Sequence, residues 1–91
     1  MIAMGDKSLT VKVLSADSLL FDDKAERVLL PGEVCPFEVL PSHAAMVSLL
    51  TGGEIVCTPA GAADASQRVR IKIKGGVVRI ENDNILACVE E

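Results

Sequence analysis

Apolar and polar residues alternate along much of the chain with a period of two. The clearest case is residues 68–74, where Arg68, Arg70, Lys72 and Lys74 alternate with Val69, Ile71 and Ile73. Successive strand side chains point to opposite faces, so this pattern predicts a strand with one wet face and one core face. Leu9, Val11 and Val13 alternate with Thr10 and Lys12 in the same way. Shorter β-type runs fall at residues 19–21, 25–30, 37–40, 45–50, 54–58, 77–80 and 85–89. Turn formers separate them: Ala16-Asp17-Ser18, Asp22-Asp23, Pro31-Gly32, Gly52-Gly53, Gly75-Gly76 and Asn82-Asp83. Residues 33–36 read as a short linking loop. Residues 59–67 are small and polar and predict a mobile hairpin loop, although their alanines would tolerate a helical turn. No stretch of 11 or more residues carries a helical period. Closely spaced short strands predict an all-β fold, a single small β-sandwich of about nine to ten short strands in two sheets. Residues 1–8 read as a loose N-terminal segment and residues 9–91 as one domain.

Composition sharpens this picture. Hydrophobic residues make up 49% of the chain, yet Phe21 and Phe37 are its only aromatics, so the core is built from Val, Ile and Leu. That β-branched content favours sheet. At 91 residues the chain holds one modest core. A formal charge of -4 weighs against a general nucleic-acid binder and against a polybasic membrane anchor. The apolar runs fall well short of the roughly 18 residues that span a bilayer. The start of the chain, Met1-Ile2-Ala3-Met4-Gly5-Asp6, lacks the charged region and apolar core of a signal peptide. The three cysteines, Cys35, Cys57 and Cys88, are odd in number and form no C-x-x-C pair, which signals neither a disulfide framework nor a zinc site. They are expected to be reduced thiols, with Cys57 and Cys88 as small apolar strand residues.

Candidate chemistry is sparse. His43 is the only histidine, and its sequence neighbour Ser42 is not placed to act with it as a catalytic pair. A packing role at a chain corner or a partner-facing role is the expectation. Asp22-Asp23 and Glu90-Glu91 are adjacent carboxylates, which cannot face each other across a substrate. They read as solvated charge. Five of the nine basic residues lie within residues 68–79. A single-strand nucleic-acid binder would interleave aromatic platforms with them, but Val69, Ile71 and Ile73 cannot stack on bases. A solvated or edge-guarding strand face is expected, with docking of an acidic partner as the functional alternative. Gly52-Gly53 and Gly75-Gly76 lack the phosphate-loop pattern. The residues thus predict a binding or structural module rather than an enzyme, with no catalytic residue, cofactor or metal. A small β-barrel module, oligonucleotide-binding or lipoyl-like, is the second class. For a carrier, Lys24 and Lys74 are the nearest candidates for the modified lysine.

One stretch carries a resemblance. Val39-Leu40-Pro41-Ser42-His43-Ala44 places a strand, a proline that ends it and the lone histidine in order. It resembles the Leu-Pro-x-His-Ala corner of the ε subunit of rotary (F-type) ATP synthases, in the N-terminal β-sandwich domain. Other matches keep the family's order: residues 9–16 ending in Ser15-Ala16, Phe21, residues 25–30 with Gly32, residues 52–56, Gly75-Gly76-Val77-Val78-Arg79-Ile80, and Asn84-Ile85-Leu86-Ala87. The family corner usually reads Pro-Gly-His-Ala-Pro, where this chain has Ser42 and Ala45, and Cys35-Pro36 replaces a usual glycine-acid pair. The resemblance is to the short form, without the C-terminal helical hairpin that holds the family's nucleotide contacts. It implies a non-catalytic central-stalk subunit that links γ to the c-ring and couples proton flow to ATP synthesis, with no tight nucleotide binding and no nucleic acid. It further implies a peripheral place on the cytoplasmic side of the bacterial inner membrane, reached only through the c-ring, and solubility in isolation. By position, the implied partner contacts are Gly32, Glu33, Val34, Cys35 and Pro36 in one loop, and Pro41, Ser42, His43 and Ala44 at the corner, both at the c-ring end.

Overall fold

The computed structural model describes residues 8–62 and 65–91. Eight strands follow in order: β1 (Leu9–Leu14), β2 (Leu19–Leu30), β3 (Phe37–Val39), β4 (Met46–Leu50), β5 (Gly53–Pro59), β6 (Val69–Ile73), β7 (Gly75–Glu81) and β8 (Asn84–Glu90). Their hydrogen-bonded order is β4-β7-β8-β1-β2-β5-β6, and β3 joins the side of β2. Neighbours run antiparallel except β1 and β8, which are parallel from Thr10↔Asn84 to Leu14↔Cys88.

The long β2 lets this one ladder form a sandwich. Its first half, up to Ala25, pairs with β1. Its second half pairs with β5 on one side and β3 on the other. The register slips between Ala25 and Arg27, where the partner residues are Pro59 and Thr58. Glu26 is thus the extra residue of a bulge, which bends a strand and resets its alternation. That reset explains why Ala25, Val28 and Leu30 are all buried despite their odd spacing. Two layers result, β4-β7-β8-β1 and β3-β2-β5-β6, sharing β2.

The alternating apolar positions meet between the layers. Leu9, Val11, Val13, Val78, Ile80, Ile85 and Ala87 from the first layer join Val28, Leu30, Val39, Ile55 and Cys57 from the second in one cluster. The all-β sandwich expected from the pattern is the observed architecture. Two boundaries differ. Asp22 and Asp23 do not close a strand; they pair with Lys12 and Val11 inside the β1–β2 ladder, which overrides the weak strand preference of Asp. This fusion leaves eight strands among the described residues, where nine to ten were expected. Gly75 and Gly76 are not a turn either but open β7. Lys74 is the one residue between β6 and β7, held by its N–H donating to the Glu90 carbonyl at 2.7 Å. In the β5–β6 connection Ala65–Gln67 form a 3-10 turn. The expected loop's Ala63 and Asp64, and residues 1–7 of the expected loose start, lie outside the described residues.

Cys57 sits fully buried in this core, and burial pushes its thiol up from 9.0 to about 11. The neutral thiol is the form that fits the core, so its contribution is whole below pH 9 and is lost as the pH climbs from 9 to about 11. Cys35 and Cys88 are exposed. A thiol-reactive chromophore at pH 8 should therefore modify two cysteines in the native protein and the third only after denaturant is added.

Candidate functional site

The corner begins where β3 ends. The His43 N–H donates to the Leu40 carbonyl at 3.1 Å, and Ser42 has φ 73. Proline second and a left-handed residue third define a type II turn. The Ser42 N–H donates to Asp83 Oδ1 at 2.6 Å. Asp83 lies in the two-residue β7–β8 turn with Asn82, both at positive φ (50 and 62), the geometry of a tight hairpin. The Asp83 carbonyl accepts the Thr10 N–H at 2.8 Å. One residue thus fastens the corner, the β7–β8 hairpin and the start of β1. His43 is half-buried, and its Nδ1 lies 2.7 Å from the Ala44 carbonyl. A carbonyl only accepts, so the proton is on Nδ1 and the ring braces its own chain.

Ser42 occupies a conformation that costs a residue with a Cβ and costs glycine nothing.

The loop of residues 32–36 is built differently. Its root is fixed, with the Glu33 N–H donating to the Leu49 carbonyl at 3.0 Å and the Thr51 N–H to Pro31 at 2.8 Å. Gly32 is buried and bridges to Leu50. A Cβ there would come 2.5 Å from the Cys35 carbonyl oxygen and 2.9 Å from the Phe37 ring, so only glycine fits this close turn. Beyond the root, Glu33, Cys35 and Pro36 are exposed, and Val34 is 97% exposed at the tip.

The structure does not bring these two segments together. Met46, at the corner end of β4, pairs with Ile80, whereas Leu50, at its other end, meets Gly32. They lie at opposite ends of a five-residue strand, about 13 Å apart along it. A single end of the sandwich does not hold both, because β3 and β4 carry the chain from one end toward the other.

Of the surface between them, sequence reasoning reaches only the corner end, where Val39-Leu40 with Ala44-Ala45-Met46-Val47 reads either as an exposed apolar lip or as core. On the outer side of the first layer, Val47 pairs with Arg79 and Leu49 with Val77, and β8 adds Leu86 and Cys88. Val47 is 66% exposed, Leu49 56% and Val77 38%. Together with half-buried Leu86 they make an apolar band beside the corner, the kind of patch that marks a protein contact. The signal was present in β4, which is apolar at four of its five positions, but a two-sided apolar strand reads as buried.

Among the described residues no group of three or more His, Cys, Asp or Glu is placed to hold a metal, and no helix is long and apolar enough to cross a membrane. Lys24 lies inside β2 and Lys74 links β6 to β7 in the other layer, so neither occupies the hairpin tip that a carrier lysine needs.

Fixed loops, a fastened corner and an exposed apolar band on a β-sandwich make an arrangement suited to docking a protein. The chain matches the ATP synthase, Delta/Epsilon chain, beta-sandwich domain over residues 8–91, and it belongs to that family. Two relatives, each named ATP synthase epsilon chain, come from Acaryochloris marina (strain MBIC 11017), 35% identical, and Sulfurovum sp. (strain NBC37-1), 34% identical. Each match covers 90% of this chain but only 56% and 61% of the relative, so the chain spans under two thirds of their length. Among solved structures, a chain of the Euglena gracilis mitochondrial ATP synthase (OSCP/F1/c-ring, rotational state 1) superposes with a TM-score of 0.83 at 14% identity. That superposition covers all of this chain and 58% of the other. A chain of the Tetrahymena thermophila mitochondrial ATP synthase central stalk/c-ring gives 0.72 at 13% identity, covering 91% of this chain and 63% of that one. At these identities the likeness is one of fold.

Proposed function

We propose that this chain is a non-catalytic central-stalk subunit of a rotary ATP synthase, standing between γ and the c-ring and helping to couple proton flow to ATP synthesis. Family membership supports the complex. The observation that carries the docking role is the exposed apolar band of Val47, Leu49 and Val77, which a lone soluble domain has no reason to keep. In this reading the band and the adjoining corner, Pro41 to Ala44, pack on γ. The loop with Val34 at its tip, from Gly32 to Pro36, meets the c-ring at the far end of β4. The chain reaches the membrane only through that ring, on the cytoplasmic side, and residues 9–91 act as one domain without tightly bound nucleotide.

Copurification with a tagged γ subunit from the native host tests this. The chain should be retained with γ, and Leu49→Glu should abolish retention while the far-ultraviolet spectrum stays β-type. A charge placed in the centre of an apolar contact is left unpaired and desolvated, which costs several kcal/mol of binding. If the unaltered chain does not copurify with γ, the central-stalk reading falls. If it copurifies but Leu49→Glu changes nothing, γ binds elsewhere.

A further inference from the structure

The second layer presents a different outer face. Its outward positions follow from the register: Leu29 opposite Val56, Val56 opposite Arg70, and Arg27 opposite Thr58. Arg68 and Lys72 extend the row of Arg70 along β6. In a chain of net charge -4, this face sets four cations, Arg27, Arg68, Arg70 and Lys72, against the two carboxylates Glu38 and Glu54. The Arg70–Glu54 ion pair on this face is loose in geometry: Arg70 Nη1 lies 3.5 Å from Glu54 Oε1, and both side chains are about half exposed. An exposed pair of that kind exchanges readily for a better partner.

Arg27 distinguishes this face from a merely solvated one. Its Nε is buried, and it has no hydrogen-bond partner among the described residues. A small depression lined by Arg27, Leu29, Glu38, Thr58 and Arg68 lies there. A buried N–H without an acceptor is unfavourable, and an arriving carboxylate that displaces the side chains covering Arg27 would take Nε and one Nη together. Leu29, 41% exposed, and half-buried Val56 provide an apolar bed next to that fork.

We propose that the outer face of β3-β2-β5-β6 is a second docking surface, occupied by an acidic segment of a partner protein whose carboxylate engages Arg27 and Arg68. Charge complementarity selects the occupant. A nucleic acid would want aromatic platforms among the cations, and this face has Leu29, Val56 and Thr58 in those places. The proposal concerns the layer opposite the apolar band, so it stands or falls separately from the γ contact.

The test uses the isotope-labelled chain and short poly-L-glutamate as the probe, read by amide and Arg Nε–H resonances. Saturable shifts should be confined to β3, the second half of β2, β5 and β6, with the Arg27 Nε–H moving most. Arg27→Lys keeps the charge but removes the fork and should weaken the probe about fivefold. Arg68→Gln, at an exposed position that does not threaten the fold, should weaken it about threefold. Lys12→Gln, at an exposed position of β1 in the other layer, should leave it unchanged. Shifts spread evenly over the chain, or an affinity indifferent to both arginine variants, would overturn the proposal. Tighter binding of oligothymidylate or of phosphatidylglycerol vesicles at the same residues would overturn it in favour of a nucleic acid or a lipid surface.

Discussion

Gly76→Ala should cost the domain about 3 kcal/mol and lower its Tm by roughly 12–24 °C. Gly76 has φ 156 and pairs with Val89, one step inside the end of the β7–β8 ladder. A Cβ there would fall inside van der Waals contact of the Cys88 carbonyl oxygen and 2.9 Å from the Val89 Cα. Both obstacles are backbone in a hydrogen-bonded ladder, so neither swings aside as a side chain would. Relief requires β7 and β8 to part, and they form the middle of the first layer. Gly61 is the internal control: it also has positive φ, at 80, but nothing lies within 4 Å of its added Cβ. Gly61→Ala should therefore cost only the backbone strain, about 1 kcal/mol. Equal losses in thermal melts would show that strain, not the close approach, sets the penalty.

Ile80→Ala should cost about 2–5 kcal/mol, a large share of the stability of a domain this size. Ile80 is 1% exposed and pairs with Ile85 and Met46, so truncation opens a cavity that both neighbouring strands line. Val77, three residues earlier on the same strand, is 38% exposed on the outer side. Val77→Ala should change stability by about 0.5 kcal/mol or less. Urea titrations separate the two, with the midpoint shifting and the slope m holding for Ile80→Ala. A comparable loss at Val77 would mean that the apolar band is part of the core and not a surface.

The contrast between these two residues shows what the sequence could tell. Alternation located β1 and β6 to within a residue of their observed ends, because each has one wet face. It failed at Asp22-Asp23, where local preference argued for a turn but a ladder of six pairs with β1 decided the outcome. It failed at Gly75-Gly76 for a related reason, since glycine there serves a close approach between backbones and not a reversal. The corner was legible because proline and a lone histidine are conspicuous. Its fastening to Asp83, 41 residues away, was not, since no local pattern encodes a long-range contact. The apolar band was legible only at its Val47 end, because Leu49 and Val77 look like core until the register assigns them outward. The basic face was seen only in part: Arg68, Arg70 and Lys72 stood out, but Arg27 joins them only through the β2–β5 pairing.

The parallel seam between β1 and β8 also sets a timetable. Thr10 finds Asn84, and Leu14 finds Cys88, only after nearly all the strands between them have been made. During synthesis the β1–β2 hairpin must wait, and a hairpin alone is marginal in water. Closing so long a loop is entropically costly and makes the last docking step slow. For that interval the edge of β1 that β8 will cover is an open template for other chains, so a nascent chain of this kind has its greatest need of chaperone cover just before β8 leaves the ribosome.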